Sequence, residues 1–218
     1  MSQAPANFVH QDNLFDPARA RKVRIIGVGS VGSYVALFLT KMGVREIEVQ
    51  DGDAVSSHNT PASLYRHEDM GLLKVHALAT QVKQLTGVKL KTIPDMYAGE
   101  PLSHMDVIVC VDSMAARKLV WEQVKMRPTI QLLCDTRVRA WFLDVFAIAP
   151  CNPEDVKLYE EAYFTDEKTD RPTCGAHGIV PVSVRAAQVV VSNLAQFWQN
   201  GKKKWRHGER VDTLETVY

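Results

Sequence analysis

A glycine-rich turn is the first feature of the sequence that could do chemistry. Residues 27–32 read Gly-Val-Gly-Ser-Val-Gly and follow the apolar residues of a predicted strand that begins at Val23. Such a turn lets the backbone come close to a phosphate, and the helix that it opens offers free N–H groups to the anion. A turn without a ligand is the alternative. The residues predicted to surround nucleotide phosphates are Gly27, Gly29, Ser30 and Gly32.

An acidic residue stands where the ribose of a nucleotide would be held. Asp51 lies nineteen residues after Gly32 and ends the predicted strand 46–50. A carboxylate at that place accepts hydrogen bonds from ribose hydroxyls. The same fingerprint is typical of proteins that bind NAD, so the turn and the acid alone leave the identity of the nucleotide open.

Three more polar residues are candidates for the same site. Asp112 ends the nearly continuous apolar segment 106–112, and the carboxyl ends of such buried strands are where open α/β sheets bind ligands. Lys74 taken alone fits an ordinary solvated lysine on a helix. Asn59 taken alone fits a loop asparagine that caps its own turn. Only the spacing between Asn59 and Lys74 favours a shared site.

The elements needed to position these residues alternate along the chain. Hydrophobic periodicity predicts strands at 23–28, 46–50, 88–93, 106–112, 129–133 and 140–149. It predicts helices after the glycine turn and near 68–85, 115–125, 157–163 and 182–198. This alternation predicts an α/β fold with a mostly parallel, Rossmann-like sheet and helices on both faces. The last strands are expected to allow an antiparallel arrangement.

Composition excludes several classes of protein and bounds the domain organisation. The 218 residues carry a net charge of +1, which gives no sign of nucleic-acid binding. No apolar stretch approaches the roughly 20 residues of a membrane span, and the N-terminus does not resemble a secretory signal, so we expect a cytoplasmic protein. We predict an N-terminal extension (1–22), a nucleotide-binding domain (23–201) and a solvated basic tail (202–218).

Four segments, taken in order, carry a resemblance to a known family. They are 51–59 (Asp-Gly-Asp-Ala-Val-Ser-Ser-His-Asn), 71–74 (Gly-Leu-Leu-Lys), 110–117 (Cys-Val-Asp-Ser-Met-Ala-Ala-Arg) and 174–181 (Cys-Gly-Ala-His-Gly-Ile-Val-Pro). The chain resembles the ThiF/MoeB/HesA superfamily over roughly residues 23–201. These are ubiquitin-activating-enzyme-like adenylyltransferases, which activate the C-terminal glycine of a ubiquitin-like or sulfur-carrier protein.

The resemblance implies a role for each polar residue of the candidate site. Asp51 would hold the ribose of ATP, with Asp53 in the same nucleotide site. Asn59 and Lys74 would contact the phosphates. Asp112 would bind Mg²⁺, which bridges phosphate oxygens. A lysine, a magnesium ion and a helix N-terminus suit the charge that builds up when a carboxylate attacks the α-phosphate.

Cys174 is the candidate nucleophile. ThiF-like proteins keep at this place a cysteine that can bond covalently to the carrier protein. The nearby His177 and Arg171 would favour the thiolate, which suits attack on an acyl adenylate. A small residue at a loop-to-helix junction is the alternative. Cys110 and Cys134 lie in or at the end of predicted strands, and we expect both in the core.

The sequence departs from the family pattern at two places. The family loop Asn-x-x-Arg-Gln has Ala62 at the position of the arginine, which predicts a loss of charge stabilisation; Arg66 is the candidate replacement. Also, the four cysteines form no Cys-x-x-Cys pair, so we expect no structural zinc. This matches a short bacterial ThiF-like subgroup without zinc.

Three functions remain open from the sequence. The preferred one is an ATP- and Mg²⁺-dependent adenylyltransferase that acts on a carrier protein and works as a homodimer, with no nucleic-acid or membrane partner. The second is a non-catalytic nucleotide-binding subunit of such a complex, which the missing arginine favours. The third, which the glycine turn permits, is an NAD-dependent oxidoreductase.

Overall fold

The fold is a single mixed sheet covered by helices on both faces. The computed structural model describes residues 8–11, 13–58, 60–162, 179–213 and 215–217. Its strands are β1 (Val23–Ile26), β2 (Ile47–Gln50), β3 (Lys91–Ile93), β4 (Asp106–Val109), β5 (Leu133–Arg139), β6 (Phe142–Ile148), β7 (Arg206–Arg210) and β8 (Glu215–Val217). Its α-helices are α1 (Ser30–Lys41), α2 (Lys74–Thr86), α3 (Met114–Val124), α4 (Pro153–Glu161) and α5 (Val180–Asn200).

The strand order places a ligand-binding crevice beside β1. The order is β3-β2-β1-β4-β5-β6-β7-β8, in which β1 to β5 pair in parallel and β5 to β8 pair as antiparallel neighbours. This confirms the predicted α/β sheet with antiparallel strands at its C-terminal side. The chain adds β2 and β3 on one side of β1 and then β4 and β5 on its other side. A crevice therefore lies at the carboxyl ends of β1 and β4, where such sheets bind ligands.

Two apolar cores lie on the two faces of the sheet. Alternate residues of a strand point to opposite faces, so Ile25 packs in one core and Ile26 in the other. The first core contains the buried faces of α1, α2 and α5. The second contains residues of α3 and α4, including Trp121 and Tyr159, whose ring centroids lie 4.8 Å apart. β1, which leads into the glycine turn, is therefore packed against an apolar core on each of its faces.

Several predicted elements begin elsewhere than expected; for example, β3 begins at Lys91 instead of residue 88, and α4 begins at Pro153 instead of residue 157. Two further shifts have a clear physical cause. The strand predicted at 129–133 is wrong, because β5 begins at Leu133. The two residues before Leu133 instead donate their backbone N–H groups to the carboxylate of Asp106. The helix predicted from residue 68 begins at Lys74, because residues 67–69 form a separate 3-10 turn and Gly71 follows with a φ of 85°.

The segment predicted as a solvated C-terminal tail contains two strands of the sheet, β7 and β8. β7 pairs along β6, and Arg206 forms an ion pair with Asp144 of that strand at 2.7 Å. Lys203 forms a further ion pair with Asp155 of α4 at 2.5 Å. The basic run therefore helps to hold the sheet edge. Among the described residues, no helix combines the length and the apolar character that crossing a membrane requires.

Candidate active site

The glycine turn packs so tightly that two of its glycines have no room for a side chain. Gly27 has a φ of 85°, and a Cβ there would lie 2.6 Å from the carbonyl oxygen of Cys110. A Cβ on Gly32 would lie 2.0 Å from the carbonyl oxygen of Gly27. A Cβ on Gly29 would meet no atom within 4 Å, so this face of the turn is open to a ligand. Ser30 begins α1 beside this open face.

Asp51 connects the glycine turn to the next loop. It directly follows β2 and is only 7% exposed. Its Oδ2 accepts the N–H of Val28 at 2.9 Å, and its Oδ1 accepts the N–H of Asp53 at 2.9 Å. The carboxylate is thus held against the turn, where the ribose was predicted. Each carboxylate oxygen has a second lone pair that can accept a ligand hydroxyl.

Lys74 is buried at these carboxylates and is not an ordinary solvated lysine. It is the first residue of α2, and its side chain is 8% exposed. Its Nζ lies 2.6 Å from Oδ2 of Asp53 and 3.8 Å from Oδ1 of Asp51. The structure therefore brings together the turn, both acids and the lysine. A phosphate that enters beside the turn would find this cation already in place.

The loop before α2 is fastened to the glycine turn by a tyrosine that the sequence analysis did not single out. Tyr65 is buried, and its hydroxyl donates to the carbonyl oxygen of Val28 at 2.6 Å. Burial and the nearby carboxylates of Asp51 and Asp69 raise its pKa, so the phenol keeps its proton. An aromatic residue in an otherwise polar loop was the available signal. Asn59, on the same loop, lies outside the described residues.

Arg66 is engaged with carboxylates of its own segment. Its guanidinium lies 3.1 Å from Oδ1 of Asp69 and 2.6 Å from Oε1 of Glu68. Its backbone N–H also donates to Asp69 at 2.8 Å, which closes the 3-10 turn. Ala62 is partly exposed in the preceding 3-10 turn and carries no charge. The structure thus shows Arg66 as a brace of this loop.

Asp112 lies where β4 leads into α3. It is exposed, and it follows Cys110, whose N–H donates to Ile26 at the end of β1 at 2.8 Å. Asp112 therefore stands beside the glycine turn at the carboxyl ends of β1 and β4. An exposed carboxylate here fits Mg²⁺, which proteins bind through one or two carboxylates together with substrate phosphates.

A buried charged cluster lies behind Asp112, and sequence reasoning gave it no role. Asp135 is fully buried and accepts bonds from Arg117, from Arg137 at 2.9 Å and from the hydroxyl of Tyr159 at 3.0 Å. Arg117 also donates to the carbonyl oxygen of Val111. Asp135 and Arg137 are neighbours on β5, but nothing local in the sequence pairs them with Arg117 of α3 or Tyr159 of α4.

Two of the described cysteines, Cys110 and Cys134, have no activated thiol. Cys134 is buried and Cys110 nearly so, as expected for core residues, and burial raises the pKa of the Cys110 thiol to about 12. Cys174, the predicted nucleophile, lies outside the described residues. Within the ranges that the structure describes, no group of three or more His, Cys, Asp or Glu side chains could hold a metal ion.

Comparisons with known proteins agree with this architecture. The model of the ThiF family matches residues 3–204. Adenylyltransferase and sulfurtransferase uba4 of Aspergillus niger is 34% identical over 47% of this chain and 23% of its own length. Ubiquitin-like modifier-activating enzyme ATG7 of Saccharomyces cerevisiae is 32% identical over 58% of this chain and 20% of its own length. The chain thus spans about a fifth of the length of these two relatives.

Solved structures show the same fold at low identity. Escherichia coli MccB with ATP has a TM-score of 0.71 and 14% identity, over 92% of this chain and 64% of its own. PaaA has a TM-score of 0.72 and 17% identity, over 96% of this chain and 65% of its own. Because the family model covers nearly the whole chain, as well as its glycine turn and acids, the protein belongs to the ThiF family.

Proposed function

We propose that the protein is an ATP- and Mg²⁺-dependent adenylyltransferase that activates the C-terminal carboxylate of a ubiquitin-like or sulfur-carrier protein. The observation that carries this proposal is the meeting of the open glycine turn with Asp51, Asp53 and the buried Lys74. Membership of the ThiF family, with relatives named as adenylyltransferases, supports it. MccB, which has the same fold and was solved with ATP, supports it further.

The reaction requires positioning and charge stabilisation more than covalent chemistry. An oxygen of the carrier carboxylate attacks the α-phosphorus of ATP, the bond to the β-phosphate oxygen breaks, and pyrophosphate leaves. An acyl adenylate remains. The N–H groups at the start of α1 and the ammonium of Lys74 face the charge that builds up on the phosphate oxygens. Asp51 holds the ribose and so fixes the α-phosphate against the turn.

Asp112 is the residue proposed to hold magnesium. When bound, Mg²⁺ neutralises phosphate oxygens and the departing pyrophosphate. Asp112 supplies the carboxylate from the end of β4, beside the turn that binds the phosphates. We propose in addition that Cys174 receives the activated carrier and that the protein works as a homodimer, which sedimentation analysis in solution would test.

The test combines nucleotide binding with pyrophosphate exchange. Calorimetric titration is expected to show binding of ATP with Mg²⁺, no binding of NAD, and weaker ATP binding by Asp112→Ala. Glu122→Ala is the matched control, since Glu122 is an exposed acid on the following helix. Exchange of labelled pyrophosphate into ATP is expected when a peptide of the carrier C-terminus is added. Binding of NAD in place of ATP would overturn the proposal.

One observation favours a second candidate, a non-catalytic nucleotide-binding subunit. Ala62 replaces the arginine of the family loop, and the guanidinium of Arg66 is occupied by Asp69 and Glu68. A subunit of this kind would bind ATP without exchanging pyrophosphate. If Ala62→Arg creates exchange activity that the natural chain lacks, the second candidate is correct for the natural chain.

A further inference from the structure

A buried arginine holds the peptide group that precedes Asp112. Arg117 lies one turn into α3 and is 5% exposed. One end of its guanidinium donates to the carbonyl oxygen of Val111, and the other donates to Asp135. The Val111 carbonyl and the Asp112 amide belong to one planar peptide group. The bond therefore fixes the plane from which the Asp112 side chain departs.

Asp135 keeps that guanidinium from turning. It is fully buried on β5 and is itself held by Arg137 and by the hydroxyl of Tyr159. A planar guanidinium can bond two acceptors at once in a fixed fork, which a lysine ammonium cannot reproduce. Arg117 thus joins the end of β4 to a rigid point of the neighbouring strand.

Asp112 depends on its backbone for orientation. Its side chain is exposed, and within the part of the chain that the structure describes no hydrogen bond or ion pair holds its carboxylate. The N-cap of α3 adds one constraint directly after it, since Ser113 Oγ accepts the N–H of Ala116 at 3.0 Å. The direction of the Cα–Cβ bond of Asp112, from which the carboxylate extends, is consequently set by the peptide on one side and by this cap on the other.

Stability alone does not account for the buried cluster. Desolvation of two arginines and an aspartate is costly, and well-packed apolar residues of similar volume often stabilise a protein as much or more. The cluster lies behind the carboxyl ends of β4 and β5, where α/β sheets bind ligands. Arg117 supplies a bond from this cluster to the peptide of Asp112, whereas Arg137 donates to the carbonyl oxygen of Ala162 at 3.2 Å.

We propose that Arg117 is a positioning residue that directs the Asp112 carboxylate through the Val111–Asp112 peptide. The inference rests on the proposed function, in which Asp112 holds the magnesium ion that binds with ATP. Residues that orient a metal ligand typically contribute about 10- to 100-fold in metal affinity or activity. Arg117 would contribute in this way without contacting the nucleotide.

The first test compares Arg117→Lys with Arg137→Lys. Both variants keep a positive charge beside Asp135, but only the first removes the fork that holds Val111. We expect Arg117→Lys to raise the Mg²⁺ concentration needed for half-maximal pyrophosphate exchange by about 10-fold or more. We expect Arg137→Lys to change this concentration much less than Arg117→Lys does, even where it lowers the melting temperature. Equal Mg²⁺ dependence in both variants would show that the role of Arg117 is only structural.

The second test needs neither ATP nor activity. Hydrogen exchange followed by mass spectrometry should show faster exchange of the amides at 111–113 in Arg117→Lys than in the natural chain or in Arg137→Lys. If Arg117→Lys does not fold, Arg117→Gln replaces it, since Arg137 still neutralises Asp135 there. Unchanged exchange at 111–113 overturns the inference. Faster exchange in a protein that binds no ATP would support the positioning and reject the proposed function.

Discussion

Lys74 shares its ammonium between two carboxylates that differ in exposure. Asp51 is 7% exposed and also accepts two backbone N–H groups, whereas the side chain of Asp53 is 51% exposed. The shorter contact, 2.6 Å, is to the exposed acid. An exposed ion pair is weak, so an incoming phosphate can compete with Asp53 for the lysine. The lysine is thus held near the turn without being locked away from a ligand.

Replacing Lys74 by methionine should remove most of the stabilisation that its ammonium gives to charge on the phosphate oxygens. Lys74→Met removes the charge and keeps the length of the side chain, so we expect pyrophosphate exchange to fall by about 100- to 1,000-fold. Lys83→Met is the control, because Lys83 is an exposed lysine of the same helix. Exchange at the natural rate in Lys74→Met would show that this lysine does not face the reacting phosphates.

At the scale of the element, the glycine turn must pack tightly at Gly32 and leave room for a phosphate at Gly29. Two variants separate these requirements. Gly32→Ala would place a methyl group 2.0 Å from the carbonyl oxygen of Gly27, so the turn and α1 must move apart. We expect this variant to lose about 1–3 kcal/mol of unfolding free energy, as overpacked sites do. A Cβ at Gly29 meets no protein atom within 4 Å, so Gly29→Ala should lose less unfolding free energy than Gly32→Ala.

Nucleotide binding by Gly29→Ala and Gly32→Ala should not follow their stability. Because the open face at Gly29 is where the backbone approaches phosphate, Gly29→Ala should weaken ATP binding while its melting temperature stays above that of Gly32→Ala. Thermal unfolding and ATP titration of both variants would check this. If Gly29→Ala binds ATP as tightly as the natural chain does, the phosphate lies elsewhere.

The sequence predicted what depends on neighbours along the chain. The glycine turn, Asp51 and the strand before each follow from local spacing, and the structure confirms this part of the fold. Lys74 contacts Asp53, 21 positions away, and Arg117 contacts Asp135, 18 positions away. No local pattern encodes either contact. The predicted start of β5 was wrong for the same reason, because the carboxylate of Asp106 accepts the N–H of Gln131, 25 positions away.

The end of the chain offers another prediction about elements. A chain cut after Gly201 lacks β7, which leaves β6 as an open edge and removes the ion pair between Arg206 and Asp144. Open edge strands promote association with other chains. We expect the truncated protein to melt at a lower temperature and to aggregate, as light scattering would show. A control cut after residue 213 keeps β7. Equal behaviour of the two truncated chains would contradict this prediction.

At the scale of the whole molecule, one buried carboxylate sets part of the dependence of stability on pH. Glu48 lies on β2 and is 2% exposed, with ion pairs to Lys22, Arg24 and Lys91 at 2.5–2.8 Å. Burial raises its pKa, but the hydrogen bonds from Lys22, Lys91 and Arg24 outweigh it, so the pKa falls from 4.5 to about 2. The folded state therefore favours the charged form of Glu48.

The sign of the effect follows from this lowered pKa. Since the folded protein binds the proton of Glu48 less readily than the unfolded chain does, its contribution to stability is complete above about pH 4.5 and is lost as the pH falls towards 2. We expect the melting temperature of the natural chain to fall more steeply between pH 5 and 2, the window set by about those two pKa values, than that of Glu48→Gln. Glu46→Gln, which changes an exposed acid next to the same strand, should retain the natural slope. Parallel curves for Glu48→Gln and the natural chain would mean that the folded protein does not lower the pKa of Glu48.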